Sequence, residues 1–370
     1  MAYIMNKLDD KDSGVLTFTL QDVNVSFANA IRRTILSKIK TAGLKTEPYE
    51  ENQMTIFKNT GKLNNEIIKH RMACIPIHIT DLSVDLASYI VEINVKNNMD
   101  NIIYVTTNDI KVKDAKTNAY VDDGEVKAMF PLDKITDDPI IITKLYPRLS
   151  DHSNIPGEEL HLECPMSLCK AMESGVYNVV SICSYGNTPD EVKQKTEWER
   201  IKKDILKQGD PTLELDTEEQ NWKLLNAKRI YIPNSFDFLI ESIGVFANED
   251  IVRKGCMVLI QDVTTFQDSI QNGSVTIQTG NTIQPSFDVI VPDDNYTIGK
   301  LIEYAVNRNF YEEKKTLSFV GYNKPHPHST YGIIRLMFNN QDDGIENVIG
   351  VLAPSVQLVI ATLQAIQKQI

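Results

Sequence analysis

The chain has 370 residues, with 38 Lys plus Arg against 50 Asp plus Glu and a net charge of −12. That length exceeds what one hydrophobic core usually fills, so two or three domains are expected, and 42% apolar residues exclude a disordered chain. The acidic balance, with no basic tail, argues against a protein that grips nucleic acid by itself, because neutralising phosphates takes a basic face.

The five cysteines, Cys74, Cys164, Cys169, Cys183 and Cys256, are odd in number and scattered. They read as reduced thiols of a nuclear or cytosolic protein. The first residues, "MAYIMNKLDDKDSG", carry charge where a signal peptide needs an apolar core. The longest apolar run, Gly350 to Leu363, is interrupted by Pro354, Ser355 and Gln357, so neither secretion nor a membrane span is expected.

Along the chain, "GVLTFTLQDV" alternates Leu16, Phe18 and Leu20 with polar neighbours, the period of a half-buried strand. A helix should follow. Ser26 is its candidate N-cap, and Phe27, Ile31, Ile35 and Ile39 recur every fourth residue, which leaves Asn29, Arg32, Arg33 and Leu36 on the opposite side. From this segment alone, a solvated polar face accounts for the Arg pair.

Residues 46–171 read as an irregular, strand-rich insertion of domain size. "SYIVEINVKNNMDNIIYVTT" suggests two strands around an Asn-rich turn, and "MFPLDKITDDPIIITKLYP" and "EELHLEC" suggest further short ones. "VYNVVSICSYGN" is an apolar strand, followed by an acidic, helix-prone connector from Asp190 to Trp222 and a further strand, "DFLIESIGV". Val252, Cys256, Leu259, Val263, Phe266 and Ile270 then step by fours and threes, the signature of a helix-packing seam.

The last part repeats this scheme. Leu16, Phe18 and Leu20 fall, at a constant offset, on Phe287, Val289 and Val291. At the same offset Ser26, Phe27, Ile31 and Ile35 fall on Thr297, Ile298, Ile302 and Val306, with Thr297 as a candidate cap. A second seam closes the chain through Ile345, Ile349, Leu352, Val356, Val359, Leu363, Ile366 and Ile370, with Pro354 expected to kink or restart its helix. The two seams could bury each other, as in a homodimer fused into one chain. The repeats differ on their outer faces, because Arg32 and Arg33 correspond to Glu303 and Tyr304.

Chemistry-bearing motifs are few. His70, Cys74 and His78, spaced by four, would share a helix face as metal ligands, but Pro76 and the β-branched neighbours favour an extended segment there. Cys164 and Cys169 lack a matching second pair and read as buried thiols. "KPHPHS" at 324–329 reads as a rigid turn. No P-loop, dinucleotide fingerprint, nucleophile elbow or Asp-rich Mg²⁺ triplet is present, so catalysis by this chain alone has no motif behind it.

"NVSFANAIRRTILSKI" followed by "NEIIKHRMACIPIHI" resembles the motif pair of α-like subunits of multisubunit RNA polymerases. "FDFLIESIGVFANEDIVRKGCMVLI" is similar to the closing strand and helix of the same subunits. "PDDNYTIGKLIEYAV" with "LSFVGYNKPHPHSTYGIIRLMF" resembles the small eleventh subunit of RNA polymerase II, whose conformational turn is matched by Gly321, Tyr322, Pro325, His326 and Pro327. A third-subunit-like and an eleventh-subunit-like part joined in one chain resembles an arrangement of large DNA viruses of eukaryotes.

The resemblance implies an α+β fold of two dimerisation modules, 1–45 with 172–272 and 273–370, packed as an intrachain pseudo-dimer around the insert at 46–171. It implies seam helices carrying Val252, Leu259, Val263 and Phe266 against Leu352, Val356, Val359 and Leu363. It further implies a non-catalytic platform for the two largest polymerase subunits, with Asn29, Arg32, Arg33, His70, Arg71, Ile75 and Pro76 facing chiefly the second-largest. Small zinc-bearing subunits are further candidate partners, and no direct promoter contact or membrane is implied. The expected location is intracellular, in a viral factory or virion if viral and otherwise in the nucleus. No cofactor is expected, and no zinc, because Ile77 to Tyr104 lacks the Cys-rich loop of the third subunit. Two other readings stay open on residues alone, a free-standing acidic binding protein and a metal-dependent enzyme using His70, Cys74 and His78.

Overall fold

The computed structural model describes residues 2–10, 13–148, 156–208, 215–280, 286–292, 296–340 and 344–370. In chain order the first elements are β1 (Tyr3–Asp10), β2 (Val15–Gln21), α1 (Val25–Ser37), β3 (Lys40–Leu44), β4 (Thr55–Asn59), α2 (Asn65–Ala73), β5 (Tyr89–Lys96), β6 (Ile103–Thr106), β7 (Lys111–Asp114), α3 (Asp123–Met129), β8 (Ile141–Leu145) and β9 (Glu159–Lys170). They are followed by β10 (Val180–Pro189), α4 (Glu191–Gln208), α5 (Leu215–Leu224), β11 (Tyr231–Ser242), α6 (Asn248–Gln271), β12 (Ile277–Thr279), β13 (Ser286–Pro292), α7 (Ile298–Val306), β14 (Leu317–Asn323), β15 (Tyr331–Phe338) and α8 (Ile345–Gln367). Helices and antiparallel sheets thus make an α+β fold of two compact units, one of Met1–Thr34, Ile182–Glu241 and Val252–Ile370, the other of Ile35–Ser181 and Ser242–Ile251.

The first unit contains two four-stranded sheets with matching orders, β1-β2-β11-β10 and β12-β13-β15-β14. The repeat read from the sequence is therefore a repeat of topology, strand for strand. Alternation buries Leu16, Phe18 and Leu20 in one sheet and Phe287, Val289 and Val291 in the other. Phe18 stands opposite Phe238 with rings stacked at 5.0 Å, and Val289 stands opposite Ile334. Asp237 ties three strands of the first sheet, accepting from Thr19 at 2.8 Å and Thr188 at 2.9 Å. Between β10 and β11 rises the α4–α5 hairpin, with its own small core of Trp198, Trp222 and Ala227.

Contacts within this unit join the N-terminal and C-terminal repeats. Ile4 N donates to Gln369 Oε1 at 2.9 Å, Gln369 Nε2 donates to the Ala2 carbonyl at 3.0 Å, and Phe27 meets Tyr304 edge-on at 6.0 Å. Lys7 and Arg253 both donate to the Ile370 main-chain oxygen, at 2.9 and 2.8 Å.

The second unit is built on the sheet β3-β9-β5-β7, with β4 also pairing β9 and a separate β6-β8 ribbon. Its core packs Ile68 and Met72 of α2, with Ile75 and Ile77 beyond it, among Leu160, Leu162, Cys164 and Met166 of β9. The two strands expected around the Asn-rich turn do form, as β5 and β6, but in different sheets.

Several expectations need correction. The cap of α1 is Asn24, not Ser26, because Asn24 Oδ1 accepts from the Ser26 amide at 2.9 Å and the Ser26 hydroxyl at 2.7 Å. Thr297 occupies the N-cap position of α7 but its side chain makes no capping hydrogen bond. The stretch from Lys69 to Ala73 is helical and not extended, because Asn64 caps α2 by accepting from Ile67 N, and Pro76 lies beyond the helix end. In α8, Ile345 and Ile349 are exposed while Val348, Val351 and Leu352 are buried, so the seam shifts register before the proline. The helix runs on through Pro354 with no restart. Its apolarity and its length would suit a membrane span, yet Val356, Val359, Leu363 and Ile366 are buried in the protein core.

Candidate functional site

The polar side of α1 is fixed by what lies behind it. Phe27, Ala28, Ala30, Ile31, Thr34 and Ile35 are buried, and at 100° per residue Asn29, Arg32, Arg33 and Leu36 are left half-buried on the other side. Asn29 Oδ1 accepts from Arg32 Nε at 3.3 Å and Nη2 at 3.0 Å, one turn apart on the same face. This holds the guanidinium along the helix with most of its fork available. A planar fork of five donors suits paired recognition of carboxylates or backbone carbonyls. The Cys183 thiol lies near enough to feel Arg32, but burial dominates and pushes it up to about 12.

At the corresponding positions of the second repeat, Glu303 pairs with Lys300 at 2.5 Å, and Tyr304 packs on Phe27 and receives Arg308 at 3.5 Å. Its polar groups are engaged within the protein.

His70, Arg71, Ile75 and Pro76 lie in the second unit. His70 and Arg71 are exposed on α2, and Arg71 Nη2 donates to the Ile141 carbonyl at 3.2 Å. Ile75 is buried and Pro76 half-buried in the extended segment that follows. Cys74 is exposed, and burial pushes the half-buried His78 imidazole below its ordinary value, helped by Lys134. Among the described residues, the only gathering of three metal-capable side chains is Glu92, His161 and Glu163. His70, Cys74 and His78 are not brought together as a metal site would require. Cys164 and Cys169 are buried on β9, their thiols pushed by desolvation up to about 12 and about 11.

Gly321 and Tyr322 lie near the end of β14, and Pro325, His326 and Pro327 stand on the exposed turn beyond it. Tyr322 is buried against Tyr296, ring centres 5.3 Å apart. Gly332 is required beneath it, since a Cβ there would lie 2.0 Å from the Tyr322 oxygen. On the turn, His328 N donates to His326 Nδ1 at 3.1 Å. The seam positions Val252, Leu259, Val263 and Phe266 of α6 are buried, as are Leu352, Val356, Val359 and Leu363 of α8.

The fold thus holds two strand–helix repeats of matching strand order, the first with an Arg pair on the polar side of its helix. The chain belongs to the family of the RNA polymerase Rpb3/Rpb11 dimerisation domain, whose model matches residues 17–263. It is 25% identical over 296 residues to the DNA-directed RNA polymerase subunit Rpo3 of Pyrococcus furiosus, covering 73% of this chain and 98% of that one. It is 26% identical over 288 residues to the Rpo3 subunit of Pyrococcus horikoshii, with 72% and 96% covered. A conjugation stage-specific protein of Tetrahymena thermophila is 24% identical over 296 residues, with 70% and 92% covered.

Proposed function

We propose that this chain is the non-catalytic assembly platform of an intracellular DNA-directed RNA polymerase, on which the two largest subunits assemble for transcription. The observation that carries the reading is the asymmetry of two topologically matching repeats within a chain of this family. One repeat carries Asn29, Arg32 and Arg33 on the polar side of its helix, while the other has Glu303 and Tyr304 where the Arg pair stands. A platform that must receive two unlike partners in one orientation needs such an asymmetry.

In this reading the modules 1–45 with 172–272 and 273–370 form an intrachain pseudo-dimer through the seams of α6 and α8, with 46–171 as the insert. The contacts of β1 and Arg253 with Gln369 and Ile370 support it. The Arg32 and Arg33 face receives the second-largest subunit, and the segment of His70, Arg71, Ile75 and Pro76 is its second contact by family resemblance. The joining of third-subunit-like and eleventh-subunit-like halves in one chain fits the gene organisation of large DNA viruses of eukaryotes, with small zinc-bearing subunits as further neighbours.

The test is Arg32→Ala combined with Arg33→Ala in the full chain. The variant should stay folded and lose its co-purification with the second-largest subunit, since a desolvated interface Arg is worth about 2 kcal/mol or more. Undiminished assembly of a folded double variant would overturn the interface.

A further inference from the structure

The outer face of the insert sheet places two glutamates side by side. Glu92 of β5 stands directly opposite Glu163 of β9, and His161, two residues away on the same face of β9, lies opposite Asn94. Two like charges in cross-strand register destabilise a sheet unless a cation joins them. Lys113 of β7 supplies part of that cation, with its Nζ 2.5 Å from Glu163 Oε1 and 3.9 Å from Glu92 Oε2.

The remaining geometry is unusual for an ordinary polar cluster. Glu92 is buried, and its Oε2 accepts from the Tyr120 hydroxyl at 2.7 Å, which leaves Oε1 turned to the imidazole. His161 Nε2 is buried, has no hydrogen-bond partner, and lies 3.6 Å from Glu92 Oε1. That separation is too long for a hydrogen bond, whose N···O distance is about 2.7 to 3.2 Å. It is the separation expected of two atoms sharing one metal ion: ligands about 2.0 to 2.2 Å from a tetrahedral zinc stand about 3.4 Å apart. The three ligand atoms of Glu92, His161 and Glu163 all lie within 4.8 Å of one another.

We propose that Glu92, His161 and Glu163 form a zinc site that staples β5 to β9 on the face of the insert sheet. One imidazole and two carboxylates are a ligand set for a borderline divalent cation, since Mg²⁺ and Ca²⁺ favour all-oxygen shells. Glu92 binds through Oε1, so Tyr120 and Lys113 keep their contacts and orient the two carboxylates. The Phe57 ring, 4.8 Å from that of His161, shelters the imidazole side, and water takes the fourth position.

The proposal stands independently of the polymerase reading, because it concerns the sheet alone. The experiment is calorimetric titration of the full, metal-stripped chain with ZnCl₂, beside thermal unfolding with and without the ion. One equivalent of Zn²⁺ should bind, raise the unfolding temperature, and bind at least about tenfold more weakly to Glu163→Gln and to His161→Ala. A combined His326→Ala and His328→Ala variant should bind as the parent does. Absence of saturable binding by the parent, unchanged binding by folded His161→Ala and Glu163→Gln, or loss of binding in the turn variant instead would overturn it.

Discussion

The two repeats of the first unit share a skeleton and differ in what they do with it. Where the first sheet pairs Leu20 with Phe236, the second pairs Val291 with Gly332, and the vacant volume takes Tyr322 from the neighbouring strand. In the first sheet the neighbouring strand's Tyr185 instead packs edge-on to Phe236, ring centres 5.5 Å apart. The inward positions remain apolar or compensated in both, because strand alternation and helix period leave no other solution for a buried face. The outer positions are free of that constraint and have diverged completely, Arg32 and Arg33 against Glu303 and Tyr304. Core positions therefore report the fold, and outer positions are left free to differ.

The largest test of this equivalence is in the paired core positions. Phe238→Ala should cost about 3 to 5 kcal/mol and its counterpart Ile334→Ala about 2 to 5 kcal/mol, measured by denaturant unfolding. Losses below 1 kcal/mol at either site would show that one sheet is not a packed equivalent of the other.

Alkaline pH should separate the repeats next, since all five cysteines precede residue 257 and the second repeat has none. The Cys183 and Cys256 thiols are held up to about 12 by burial, against 9.0 when unfolded. A raised folded pKa gives stability that is full below pH 9 and lost as pH rises toward the folded value, because the unfolded chain ionises first. Each thiol should therefore lower stability by up to about 1.4 kcal/mol per pH unit above 9, and Cys256→Ala should flatten the measured slope.

Thr34 sharpens the comparison in the opposite direction. Its hydroxyl is buried without a hydrogen-bond partner, and the equivalent residue is Ala305. Thr34→Val, which removes the unsatisfied hydroxyl and keeps the side chain's shape, should raise stability by about 1 kcal/mol, a gain readable in the same unfolding assay. The smallest contrast lies in the helix caps. Asn24→Ala should cost about 1 kcal/mol, and Thr297→Ala less, since only Asn24 accepts from its helix's first turn.

Much of the architecture was legible because it is written in local period. The strand alternation at Leu16 to Leu20, the stepping of α6 and the repeat offset need only neighbours in sequence to be recognised. The Arg pair was legible for the same reason, as the residue of a helix whose other face is apolar. The failures lay where local signals compete. Ser26 and Asn24 are both good caps, and only the backbone position at which the helix begins chose between them. The helix α2 was masked by Pro76, which lies past its end and does not interrupt it. Ile345 and Ile349 follow the seam period but face outward, because Val348 and Val351 are the residues turned to the core.

The sequence by itself determined the strand and helix periods, the repeat and the asymmetry of its outer faces, since each follows from periodicity along the chain. Tertiary structure alone decided which strands are neighbours, and with that the meeting of Glu92, His161 and Glu163. No spacing announces that triad. It exists because antiparallel register sets β5 beside β9, and register is fixed by the burial of whole faces, not by any residue in the cluster.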